Sequence, residues 1–150
     1  GLREKQHTHG WPCTLFTVDM APANLPRDVF VRFFDALEPA FSHQVSIGQN
    51  NTIILCPALT SHSELSSDEQ KKAGIELTTM RIAMGTDNVK QLIAHFMLAA
   101  KHFIEPHVPG FCEKFMANAD IDNLYLSVSE RVSSQHFGSK ASMDSLMKGA

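Results

Sequence analysis

Apolar positions along this chain switch between two periods, and the switch marks out its elements. In Thr14–Met20 the large residues Phe16, Val18 and Met20 alternate with smaller or polar ones, which predicts a strand. Ala21–Asn24 reads as a turn, with Asn24 as the expected cap of a helix that tolerates Pro26 in its first turn. Val29, Phe30, Phe33, Phe34 and Leu37 then fall on one helical face, which Pro39 closes. Val45–Ile47 and Thr52–Cys56 are expected to be extended. Ser66 and Glu69 form a capping box ahead of a helix that ends at Gly74. Thr78–Met84 predicts a strand with Met80, Ile82 and Met84 on one side and Thr79, Arg81 and Ala83 on the other. Val89, Leu92, Ile93, Phe96, Met97 and Ala100 make the clearest helix, with Asp87 or Asn88 at its start.

After Lys101 the pattern loosens. Phe111, Cys112, Phe115 and Met116 suggest a short helix. Ile121–Val132 fits a helix or a strand, and helix is preferred. Ser133–Ala150 is Ser-rich, with expected fraying and a turn or two near Ala141–Met147. Strands and helices interleave too irregularly for a doubly wound domain. The expected fold class is α+β, a small mostly antiparallel sheet with helices packed on one face.

The length of 150 residues suits a single domain, and hydrophobic and charged shares of 43% and 19% are those of a globular chain. The net charge of −3 comes without a basic stripe, which argues against nucleic acid and acidic membrane as partners. No apolar run reaches the roughly 18 residues of a membrane span. Cys13, Cys56 and Cys112 have no metal-ligand spacing and imply no disulfide framework. The start shows no secretory pattern, so the expected location is cytoplasmic.

Candidate chemistry is sparse. His7 and His9 lack further ligands at metal spacing, so no metal site is expected. No glycine-rich phosphate loop and no nucleophile elbow is present. Ser139-Lys140 reads as a solvated tail lysine rather than one that binds a carbonyl. Arg81 stands out, because a guanidinium in mid-strand needs a partner or water. Either it belongs to an exposed face or a structural ion pair, or it grips a carboxylate with its planar fork.

Val45–Asn88 carries a longer signal. It reads SIGQNNTIILCPALTSHSELSSDEQKKAGI from Ser46, and later TMRIAMGTDN. Without a gap this resembles the late part of the Cys/Met-metabolism pyridoxal-phosphate enzymes, which include cystathionine gamma-synthase, the cystathionine lyases and methionine gamma-lyase. Ser46 and Gly48 match the family's S-L-G turn. Pro57, Ala58, His62, Ser63, Leu65, Ser66, Glu69, Ala73, Gly74 and Ile75 match the block that follows it. Arg81 and Gly85 match its L-I-R-L-S-V-G strand. The resemblance is weaker outside this stretch and does not cover Lys101–Ala150.

The resemblance implies a fold like the C-terminal domain of fold-type I enzymes of this kind, with residues 1–101 as the substrate-clamping domain and 102–150 as a helical, then partly flexible, extension. It implies an amino-acid substrate whose α-carboxylate is held by Arg81, helped by Ser46, with Asn51 near the distal end. The implied cofactor is pyridoxal phosphate, bound by an upstream domain that this chain lacks. The family's lysine lies in an S-x-T-K setting that does not occur here. The implied parent is a homo-oligomeric lyase or transferase of trans-sulfuration type, and the chain alone is expected to be inactive. Some positions depart from the pattern: Asn51 replaces a glutamate, Gln49 a glycine, Cys56 a histidine and Ala83 a serine. Asparagine is no base, so ordinary gamma-elimination or replacement is in doubt. The alternative is a non-catalytic module for small-molecule binding or assembly.

Overall fold

A computed structural model describes residues 14–137. Four strands form one sheet: β1 (Leu15–Asp19), β2 (Ser42–His43), β3 (Ile53–Leu55) and β4 (Thr79–Ala83), in the order β1-β4-β3-β2. β4 is antiparallel to both β1 and β3, while β2 runs parallel to β3. The sheet is therefore mixed but mostly antiparallel, and the α+β class stands. Register pairs Arg81 with Thr17 on one side and Leu55 on the other. These three share one face of the sheet. Met80, Ile82 and Ile54 lie on the opposite face and are buried.

Helix α1 (Arg27–Asp35) buries Val29, Phe30, Phe33 and Phe34, and Leu37 follows just beyond its end. Burying side chains of this kind contributes roughly 1.5–3 kcal/mol each. Helix α3 (Val89–Phe103) packs against α1. The Phe33 and Phe96 rings meet edge to face at 5.2 Å, and Phe41 meets Phe96 at 6.4 Å. His95 adds a polar tie, its Nε2 donating to the Ala36 carbonyl at 2.9 Å. The side chain of Asn88 caps α3 by accepting from the backbone N–H groups of Lys90 and Gln91.

Helix α2 (Ser67–Lys72) has the expected capping box. Ser66 Oγ accepts from the Glu69 N–H, and Glu69 Oε2 accepts from the Ser66 N–H at 2.9 Å. Its end is a Schellman motif. Gly74, at φ +71°, donates to the Lys71 carbonyl, and Ile75 donates to that of Gln70.

Several local expectations are corrected. Asn24 does not cap α1. It adopts the left-handed conformation at φ 47° and closes a 3-10 turn at Ala21–Ala23, while Pro26 stands at the N-cap without a side-chain cap. The strand expected at Val45–Ile47 lies instead at Ser42–His43, and 45–47 is an irregular turn with Val45 and Ile47 exposed. The strand expected at Thr14–Met20 is found as β1, an edge strand on which Phe16 is 42% exposed. The helix expected from Phe111, Cys112, Phe115 and Met116 is only a 3-10 turn at Cys112–Lys114.

The contacts divide the chain between Glu113 and Lys114. On the first side, Ile104 is fully buried, and the Glu105 carboxylate accepts from the N–H groups of Gly110 and Cys112, both at 2.7 Å. The Cys112 and Gly110 donors hold that carboxyl below its usual range. The second unit contains helix α4 (Asn118–Phe137), which settles the choice between helix and strand and runs through Ser133 and Ser134, where fraying was expected. The turn expected near Ala141–Met147 lies outside the described residues. Among the described residues, no helix is long and apolar enough to cross a membrane.

Gly85, just beyond β4, lies against the 50–52 loop. A Cβ there would stand 2.3 Å from the Asn50 carbonyl oxygen and 2.6 Å from the Thr52 nitrogen. Both neighbours are backbone and cannot swing away. Gly85→Ala should therefore cost at least the 1–3 kcal/mol of ordinary overpacking. Urea unfolding of the variant checks this, and an unchanged midpoint would refute the close approach.

Candidate functional site

The loop from Ser46 to Thr52 carries two of the three candidate site residues, and one set of polar contacts fixes its far end. Thr52 is fully buried. Its backbone N–H donates to Asp87 Oδ2, and its hydroxyl oxygen accepts from the Gly85 N–H at 3.0 Å. The Asn50 carbonyl accepts from both the N–H and the hydroxyl of Thr86, at 2.6 and 3.0 Å. The segment 50–52 is thus laced to 85–87, directly after the strand that carries Arg81. Hydrogen bonds from the Thr52 side chain, and then from its backbone, hold the Asp87 carboxyl below its usual range.

Arg81 is half-buried, and its Nη2 donates to the Val45 carbonyl at 3.0 Å. Among the described residues it has no carboxylate partner, unlike Arg32, which pairs with Asp28. One of its five N–H groups is used on Val45, which leaves most of the fork for another acceptor. Ser46 follows Val45 and is exposed. The structure therefore brings Arg81 to the Ser46 turn, its hydrogen-bond partner Val45 being the residue immediately before Ser46.

Asn51 is placed differently. Its Nδ2 donates to Ser42 Oγ at 2.6 Å, and the residue is half-buried. The amide ties the start of β3 to the start of β2. This bond uses one of the two N–H donors of the amide.

Beside the turn lies an open cavity of about 570 Å³. Phe34, Ile54, Leu55 and Leu59 form its apolar walls, with Asp35, His43, Gln44, Val45, Ser46 and Thr60. The His43 ring stacks on Phe34 at 4.4 Å, and its Nε2 is buried with no hydrogen-bond partner among the described residues. Sequence reasoning missed His43. Nothing in its neighbours separates it from the other seven histidines, because its surroundings come from α1 and β3. Asp87 was noticed only as a possible helix start, and its link to Thr52 spans 35 positions. Cys56, buried behind β3, has its thiol pushed up by burial, which makes it a packing residue rather than a nucleophile.

The chain belongs to the family of Cys/Met metabolism PLP-dependent enzymes, whose family model matches residues 6–101. Among its curated relatives is O-acetyl-L-homoserine sulfhydrylase 1 of Thermus thermophilus, 36% identical over 63 residues, which are 42% of this chain and 15% of that protein. O-succinylhomoserine sulfhydrylase of Pseudomonas aeruginosa is 37% identical over 68 residues, 45% of this chain and 17% of that protein. The matched stretches are thus a small part of those relatives. A solved structure from Campylobacter jejuni, described as an O-acetylhomoserine (thiol)-lyase, aligns at a TM-score of 0.49 with 30% identity, covering 58% of this chain and 20% of the other.

Pyridoxal phosphate needs a lysine amine for its aldehyde and cationic or N–H donors for its phosphate. The walls of the cavity hold no lysine and no arginine. Lys140, expected to be a solvated tail lysine, lies outside the described residues. The residues described here do not fit the cofactor itself.

The Asp87 link gives a pH dependence with a definite sign. A carboxyl whose folded pKa is depressed adds stability that is fully present above the unfolded value of about 4. That stability is lost as pH falls through the lower folded value. Asp87→Asn keeps an acceptor for Thr52 but does not titrate. Urea midpoints measured from about pH 6 down to about pH 3 should fall less steeply in this variant than in the parent chain. Parallel curves would mean that Asp87 is not linked to folding.

Proposed function

We propose that this chain provides the α-carboxylate clamp of a PLP-dependent enzyme of sulfur amino-acid metabolism, with Arg81 as the clamp and Ser46 as its hydrogen-bonding helper. The observation that carries the reading is the Arg81–Val45 hydrogen bond. It ties a guanidinium that has no carboxylate partner among the described residues to the turn that bears Ser46. Family membership supports the same reading, since the relatives' names include acyl-homoserine sulfhydrylases.

On this reading the substrate is an amino acid related to cystathionine or an O-acylated homoserine, and the enzyme is a homo-oligomer in the cytoplasm. Holding the carboxylate fixes rotation about the α-carbon, so that the bond to be broken is oriented before reaction. A bidentate fork does this better than a single ammonium, because two parallel hydrogen bonds fix a plane as well as a point. Pyridoxal phosphate, where bound, supplies the electron sink, and a part of the protein outside this chain holds it. The 150-residue chain by itself is then inactive.

Two measurements test this. In the full-length enzyme, Arg81→Ala should weaken amino-acid binding by about 1.5–3 kcal/mol, the scale of a charged hydrogen-bonded contact. Arg81→Lys should also bind poorly, while the affinity for the cofactor barely changes. Equal amino-acid affinity in all three proteins would return Arg81 to a structural role. For the 150-residue chain, mixing with pyridoxal phosphate should produce no stoichiometric protein-bound absorption band. A band abolished by replacing one lysine would show that the chain holds the cofactor after all.

A further inference from the structure

We propose that Asp87 is a positioning residue for the clamp: through Thr52 it holds the turn that bears Ser46 in place beside Arg81. The proposal rests on the clamp reading and names what keeps its two halves together.

The turn is tied down at both ends by one segment of chain. At the near end, Arg81 Nη2 donates to the Val45 carbonyl. At the far end, the Asn50 carbonyl accepts from the N–H and the hydroxyl of Thr86. The Thr52 hydroxyl accepts from the Gly85 N–H, and Asp87 Oδ2 accepts from the Thr52 N–H. Positions 45–50 and 81–86 are thus two short stretches joined at either end. Ser46 is the first residue inside the loop they close.

The two ties are unequal. The near one is a single hydrogen bond from a half-buried side chain, and it uses the group that a carboxylate would engage. When Arg81 turns to a ligand, this tie is the one that yields, and the far tie is left to hold the turn. The far tie is built on Thr52, which is fully buried, and on Gly85, which packs too close to the 50–52 backbone to admit a Cβ. Asp87 is its ionisable member, and a bond to a carboxylate is roughly twice as strong as one between neutral groups. Without that acceptor the Thr52 N–H is stranded, and the loop must open to give it water. The helix that follows does not need Asp87 as its cap, since Asn88 fills that place. Asp87 is itself exposed, so trimming it takes nothing out of the core.

The test uses the full-length enzyme with L-homoserine and L-homoserinamide, in which a neutral amide replaces the α-carboxylate. Calorimetric binding at neutral pH should favour the acid, and Arg81→Ala should erase that preference. Asp87→Ala should lower the acid-over-amide ratio by roughly 2- to 30-fold, the range commanded by residues that touch no ligand, and leave the amide's affinity near the parent's. Asp87→Asn, which keeps an acceptor for Thr52, should restore most of the ratio. A role confined to stability would weaken both ligands alike and leave the ratio unchanged, which overturns the proposal. So would an equal loss in Asp87→Asn, which would point to charge rather than position. If Asp87→Ala gives no folded enzyme, Thr86→Val, which removes the hydroxyl tie to Asn50, serves for the same ratio. If Arg81→Ala erases the preference and these variants do not change it, Asp87 is no positioning residue and the clamp stands. A parent enzyme without preference, or one that keeps it in Arg81→Ala, sinks the clamp reading and this proposal with it.

Discussion

The structure around the candidate site depends on Thr52. It is buried, so each of its polar groups must find a partner inside the protein. The N–H goes to Asp87, the carbonyl accepts from Ser42, and the hydroxyl accepts from Gly85. One residue thereby joins the start of β2, the start of β3 and the segment leaving β4. The close approach this demands leaves no room for a side chain at position 85. Removing the lacing would free the far end of the Ser46 turn, and Arg81 would lose a fixed neighbour.

The sequence made the strong local signals readable. The Ser66–Glu69 capping box, the Gly74 terminus and the apolar face of Val89–Ala100 each have their cause within a few residues, and each is found where expected. The mid-strand position of Arg81 was also legible, because alternation in β4 is set by burial on one side. The α1 face held for the same reason, although the cap assigned to Asn24 did not. A residue in the left-handed conformation and an N-cap share a preference for asparagine, and the sequence does not separate them.

The missed features are long-range ones. β2 is two residues long and exists because β3 lies beside it, so Ser42–His43 had no period to reveal it. The apolar pair Val45 and Ile47 imitated a strand but lies in an exposed turn. The bond from Asn51 is likewise one that a linear reading does not reveal. The partner, Ser42, is supplied by the pairing of β2 with β3. The helix through Ser133 and Ser134 extends further than the low helix preference of serine suggested.

The hydrogen bond from Arg81 to the Val45 carbonyl has an entropic consequence. A free arginine side chain carries about 2 kcal/mol of rotamer freedom, which any anion would have to remove on arrival. Here the backbone of the turn has already removed part of it during folding. The guanidinium is preorganised by a neutral acceptor, which steadies it without neutralising its charge. Any anion that reached it would find a side chain already partly ordered.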